Sequence, residues 1–122
     1  MGDSVDVLVI DDNDMLLEYI TDLLTSHGFT IHTTKNSFDA VETMQNVKPR
    51  LVILDVMMPE LDGYTVLKKM RENKNLSSVP VIIYTGKSYP TDEKKARSLG
   101  ANSYIIKPVK GSVIVEEVKK YI

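Results

Sequence analysis

Leu51-Val52-Ile53-Leu54-Asp55 is the stretch on which the fold turns. Four consecutive aliphatic residues with no polar alternation read as a strand buried on both faces, the environment found inside a parallel sheet. The run is too short for an ordinary helix, and a carboxylate ends it at once. Two other runs repeat the pattern: Val7-Leu8-Val9-Ile10 stops at Asp11-Asp12, and Val81-Ile82-Ile83-Tyr84 stops at Thr85-Gly86. Shorter runs at Phe29-Thr30-Ile31 and Tyr104-Ile105-Ile106 supply a second and a fifth strand, the latter followed by Lys107-Pro108.

Helix-period segments lie between these runs. Leu16, Ile20, Leu23 and Leu24 share one face, and Gly28 follows as a stop. Ser37 is the expected N-cap of a second helix that carries Val41 and Met44, and Asp62 the cap of a third with Tyr64, Leu67 and Met70. Ala96 and Leu99 mark a fourth, ended by Gly100; Ile114, Val118 and Ile122 mark a fifth. Five strand–helix units in 122 residues imply one α/β domain over residues 1–122, with helices on both faces of an open sheet.

Composition narrows the function. At 43% hydrophobic and 26% charged the chain is of globular type, and a net charge of -2 offers no broad basic face for nucleic acid. Without cysteine there is no disulfide, thiolate metal site or cysteine nucleophile. The apolar runs are too short for a signal or membrane helix, so the expectation is a cytoplasmic protein that does not engage the membrane.

In an open α/β sheet, ligands sit beyond the carboxyl ends of the strands, at the point where strand order reverses. The residues there are Asp11, Asp12, Asp55, Thr85 and Lys107. Each has an ordinary reading alone: Asp11 to Asp14 could cap a helix, Asp55 could open a turn, and Thr85-Gly86 and Lys107-Pro108 are common turn pairs. Their coincidence at strand ends favours a site. Three adjacent carboxylates repel one another unless a cation relieves them. Mg²⁺ suits oxygen ligands and commonly joins carboxylates to a phosphate. An Asp so relieved can act as a nucleophile toward phosphorus, with an ammonium and a hydroxyl for the phosphoryl oxygens.

These residues resemble a family. The stretch Leu54-Asp55-Val56-Met57-Met58-Pro59-Glu60-Leu61-Asp62-Gly63, with Val9-Ile10-Asp11-Asp12, Tyr84-Thr85-Gly86, Leu99-Gly100-Ala101 and Ile106-Lys107-Pro108, is similar to the receiver domains of two-component response regulators, from about Val5 to Ile122. The resemblance implies a flavodoxin-like (βα)5 doubly wound fold, five parallel strands in order 2-1-3-4-5. It implies a signalling switch rather than a turnover enzyme, phosphorylated by a sensor histidine kinase, a phosphotransfer protein or a small phosphodonor. Asp55 would be the phosphoacceptor; Asp12 would ligate Mg²⁺ (Mn²⁺ able to substitute) directly, Asp11 largely through water, and Met57 by its main-chain carbonyl. Thr85 would be the switch hydroxyl, Lys107 the phosphoryl partner and Tyr104 the switch aromatic. Met57 and Lys87 would flank the path of the hydrolytic water and tune dephosphorylation. A cis bond is implied at Lys107-Pro108, which sequence alone would not support, only about 5–6% of X–Pro bonds being cis.

The face of the fourth helix, fifth strand and fifth helix is the candidate surface for an output partner, with Lys94, Lys95, Arg97, Glu116, Glu117, Lys119 and Lys120 as its charge. DNA-binding regulators commonly carry an Asp pair after the Gly-Ala of strand five; here Asn102 and Ser103 stand there. A monomer is therefore expected before phosphorylation. A stand-alone receiver and a piece of a longer regulator both fit. Two other classes fit less well. A haloacid-dehalogenase phosphatase wants a second acid at position 57, which is Met, and an FMN carrier wants a phosphate loop where Asp11-Asp12 would repel it.

Overall fold

The computed structural model describes residues 4–58 and 62–122. Strands and helices alternate throughout: β1 (Val7–Ile10), α1 (Asp14–Ser26), β2 (Ile31–Thr34), α2 (Ala40–Val47), β3 (Leu51–Leu54), α3 (Gly63–Glu72), β4 (Val81–Thr85), α4 (Pro90–Ser98), β5 (Ser103–Ile106) and α5 (Gly111–Lys119). The strands are all parallel, in the order β2-β1-β3-β4-β5. Order reverses between β1 and β3, so Asp11 and Asp55 leave neighbouring strands at the switch point.

The unbroken apolarity of β1, β3 and β4 has its cause in two cores. Leu8, Ile10, Val52, Leu54 and Ile83 face one way, onto Met44 of α2, Leu67 and Met70 of α3 and Ala96 of α4. Val7, Val9, Leu51, Ile53 and Ile82 face the other way, onto Ile20 and Leu24 of α1 and Ile114 and Val118 of α5. Period-2 alternation thus sends residues to opposite cores rather than to core and solvent.

Three local expectations in the first half of the chain are corrected. The second strand is Ile31–Thr34 rather than Phe29-Thr30-Ile31. As an edge strand it pairs only with β1, beginning at Val7↔Ile31, and needs no continuous apolar run. Ser37 does not cap α2; Asn36 forms the turn, its Oδ1 accepting from the Phe38 amide at 2.9 Å, and Asp39 precedes the helix without a side-chain cap. The buried residues of α1 are Leu17, Ile20 and Leu24, with Leu16 only half-buried. Towards the end of the chain, Leu99 caps α4 rather than lying within it, and Ile122 lies beyond α5, which ends at Lys119 as the Lys120 and Tyr121 amides turn back to the Glu117 and Val118 carbonyls. The cap and stop signals hold: Asp62 Oδ1 accepts from the Thr65 amide at 2.9 Å, and Gly28 and Gly100 follow their helices at φ +90° and +108°.

Candidate functional site

The carboxyl ends of β1 and β3 bring two buried carboxylates together by the same local device. Asp11 Oδ1 accepts from the Asn13 amide at 2.9 Å, and Asp55 Oδ1 accepts from the Met57 amide at 2.9 Å. Each side chain turns back over its own chain two residues on, which leaves the other oxygen aimed inward. Lys107, just beyond β5, closes the group: its Nζ donates to Asp11 Oδ2 at 2.7 Å and to Asp55 Oδ2 at 3.0 Å. The Lys107-Pro108 peptide is cis.

Asp11 is 2% exposed and Asp55 5%, whereas Asp12 is exposed at the rim. One ligand atom from each of Asp11, Asp12 and Asp55 lies within 4.8 Å of the others. Burial pushes the Asp11 carboxyl above its ordinary value, with Lys107 and the Asn13 amide pulling against it. Burial would likewise lower Lys107, but Asp11 and Asp55 outweigh it and hold the ammonium above its usual value. A hard divalent cation fits this donor set, three carboxylates of which two are already oriented by backbone amides.

Gly63 keeps α3 against this edge. A Cβ there would collide with the Asp55 carbonyl oxygen and lie 2.6 Å from Val56 Cα, and its amide donates to the Val56 carbonyl at 3.2 Å. Only glycine allows that approach.

Thr85, fully buried at the end of β4, has its carbonyl bonded by the Lys107 amide at 2.8 Å and its Oγ1 by the Lys87 amide at 3.4 Å. Tyr104, half-buried on β5, donates its hydroxyl to the Lys87 carbonyl at 2.9 Å. Thr85 and Tyr104 therefore meet at one residue of the loop between β4 and α4. Met57 is 52% exposed beside Asp55. The Lys87 ammonium lies 5.6 Å from the Tyr64 ring centroid. Tyr64 was legible only as an apolar position of α3, so its second role carried no signal in the sequence.

Asn102 and Ser103 are committed within the chain. Asn102 Oδ1 accepts from the Val81 amide at 2.9 Å and from Arg71 at 3.1 Å; Ser103 Oγ donates to Glu117 at 2.7 Å. Among the described residues, no helix is long and apolar enough to cross a membrane.

Comparison with known proteins agrees with this fold. The family described as response regulator receiver domain matches residues 7–119. The polar-differentiation response regulator DivK of Brucella anthropi is 28% identical over 116 residues, covering 95% of this chain and 94% of DivK. The signal receiver domain of a histidine kinase from Syntrophus aciditrophicus is 30% identical with a TM-score of 0.87, over 97% of this chain and 89% of that one. Chemotaxis protein CheY4 of Vibrio cholerae shares the fold at 20% identity with a TM-score of 0.90, over 98% of this chain and 99% of its own. With the reversal of strand order, the acidic group at the switch point and a family match across nearly all of its length, the chain belongs to the response regulator receiver domains of two-component signalling.

Proposed function

We propose that Asp55 accepts a phosphoryl group from a sensor histidine kinase, a phosphotransfer protein or a small phosphodonor, and that this charge resets the face formed by α4, β5 and α5. The observation that carries the reading is the convergence of Asp11, Asp12 and Asp55 with Lys107 bridging two of them. Asp12 and Asp55 would hold Mg²⁺, or Mn²⁺ in its place, directly, with the Met57 carbonyl beside them and Asp11 acting through water. Bound there, Mg²⁺ would supply neutralisation of the charge on the carboxylates and on the incoming phosphoryl group.

The residues of the chain do the rest. An Asp55 carboxylate oxygen attacks the phosphorus while the bond from phosphorus to the donor breaks, its electron pair leaving with the donor. Lys107 already stands at Asp55, where its ammonium meets a phosphoryl oxygen. The Thr85 hydroxyl donates to another, drawing the loop that Tyr104 holds through the Lys87 carbonyl. The domain catalyses its own phosphorylation and dephosphorylation and is not a turnover enzyme. Its expected setting is the cytoplasm, and residues 1–122 act as one receiver unit.

Incubation with Mg²⁺ and acetyl phosphate, read by intact mass, tests this. One acid-labile phosphoryl group is expected, absent in Asp55→Asn and in EDTA. Wild-type labelling of Asp55→Asn refutes the assignment.

A further inference from the structure

Tyr64 stands in the first turn of α3 and is 7% exposed. Its hydroxyl lies 3.4 Å from both the carbonyl and a carboxylate oxygen of Asp92 in α4. Two ammonium groups lie within cation–π reach of its ring, Lys95 Nζ at 4.3 Å from the centroid and Lys87 Nζ at 5.6 Å. Lys95 belongs to α4, whereas Lys87 belongs to the loop that joins Thr85 to that helix. Lys87 is thus held at three points: its amide on Thr85 Oγ1, its carbonyl on the Tyr104 hydroxyl, and its ammonium near Tyr64. Among the described residues no carboxylate forms an ion pair with it.

We infer that Tyr64 is a positioning residue which competes with the phosphoryl group on Asp55 for the Lys87 ammonium, and so shortens the lifetime of the phosphorylated state. This rests on the reading of Asp55 as phosphoacceptor. A phosphoryl group adds about -1.5 to -2 charge and strong acceptor oxygens. An ammonium is drawn to such a dianion more strongly than to the quadrupole of an aromatic ring. Lys87 is tethered by its backbone to Thr85, the hydroxyl proposed to bind the phosphoryl group, so its stem starts beside the site. Once drawn over, it shields the acyl phosphate from water, because an ammonium offers no lone pair to orient or deprotonate a nucleophile. While Tyr64 holds a share of the Lys87 population, that fraction of molecules lacks the shield. The ring retains Lys95 in either case, so α3 and α4 stay joined.

The test is the decay of the phosphorylated domain after donor removal, in Tyr64→Leu and Tyr64→Phe, each with Lys87 intact and with Lys87→Met. Tyr64→Leu should decay about two- to fivefold more slowly, the weight of one partly exposed cation–π contact. Tyr64→Phe keeps the ring and should decay at the wild-type rate. With Lys87→Met, Tyr64→Leu should change nothing, which a merely structural role for the ring would not produce. Side-chain NMR supplies a reading before any phosphorylation: the ε-methylene protons of Lys87 and Lys95 should be ring-shifted in wild type and not in Tyr64→Leu. On phosphorylation only the Lys87 shift should be lost. Decay of Tyr64→Leu as fast as wild type, or slowed equally with Lys87→Met, overturns the inference, as does an unshifted Lys87. A chain that takes up no phosphoryl group at all overturns the functional reading itself, whatever the ring shifts show.

Discussion

Lys107 is the one cation paired with the buried carboxylates among the described residues, and both Asp11 and Asp55 depend on it. Lys107→Ala leaves two buried carboxylates facing each other, which a divalent cation then relieves alone. Tighter Mg²⁺ binding with a weaker conformational response to phosphorylation is the expected outcome, followed by NMR titration; weaker Mg²⁺ binding would contradict it. Asp11 and Asp12 differ in a way that the pair Asp11-Asp12 does not announce. Asp11 has both oxygens engaged, by the Asn13 amide and by Lys107, while Asp12 is exposed. Asp12→Ala should therefore weaken Mg²⁺ binding more than Asp11→Ala, and the opposite order in a titration would refute that division. Neither Met57, 52% exposed, nor Lys87 can activate water. Met57→Asn with Lys87→Glu should accelerate dephosphorylation by about tenfold, equivalent to about 1.4 kcal/mol, and an unchanged decay rate would show that backbone geometry sets the lifetime.

At the scale of elements, two contacts tie helices to the strand ends. Gly63 lets the start of α3 touch the backbone of Asp55 and Val56. Gly63→Ala should cost about 1–3 kcal/mol by overpacking and lower the phosphorylation rate, both measurable on one preparation; unaltered stability would mean that α3 can retreat freely. On the other side, Ser103 and Glu117 join β5 to α5. Burial would raise the Glu117 carboxyl, but the Ser103 hydroxyl and Lys120 outweigh it and hold it below its ordinary value. A carboxylate depressed in the folded state contributes stability above its unfolded pKa, and that contribution is lost as pH falls through the folded one. Glu117→Gln should thus cost about 1 kcal/mol near neutral pH and nothing in strong acid, by denaturant unfolding at both. An equal loss at the two would contradict the linkage. The elements were legible where burial acts on both faces, as in β1, β3 and β4. They were less so at β2, where His32, Thr33 and Thr34 form an edge strand whose stability lies in pairing with β1 rather than in apolar burial. The start of α2 was misread because Asn36, not Ser37, carries the turn.

For the whole molecule, the open α/β sheet and the place of the site followed from the apolar runs and the residues that end them, while the strand order followed from the resemblance to receiver domains. What the sequence could not show was which partner each polar group finds across the sheet: Lys107 between two carboxylates, Tyr104 on the Lys87 carbonyl, Tyr64 beside two lysines. These contacts join residues far apart in the chain, so no local pattern encodes them. The same is true of Asn102, whose side chain serves Val81 and Arg71 within the domain. With Asn102 and Ser103 so engaged, the unphosphorylated domain should be monomeric, and a stable dimer by sedimentation at micromolar concentration would show otherwise. The central claim is that charge on Asp55 reaches the face of α4, β5 and α5 through Thr85 and Tyr104. Backbone NMR of the Mg²⁺-loaded protein before and after acetyl phosphate tests it most directly. The account predicts shift changes at Thr85 to Lys87, along α4 and at Tyr104, absent in Asp55→Asn and cut short beyond the strand ends in phosphorylated Thr85→Ala; changes on α4 and β5 that survive intact in Thr85→Ala would contradict it.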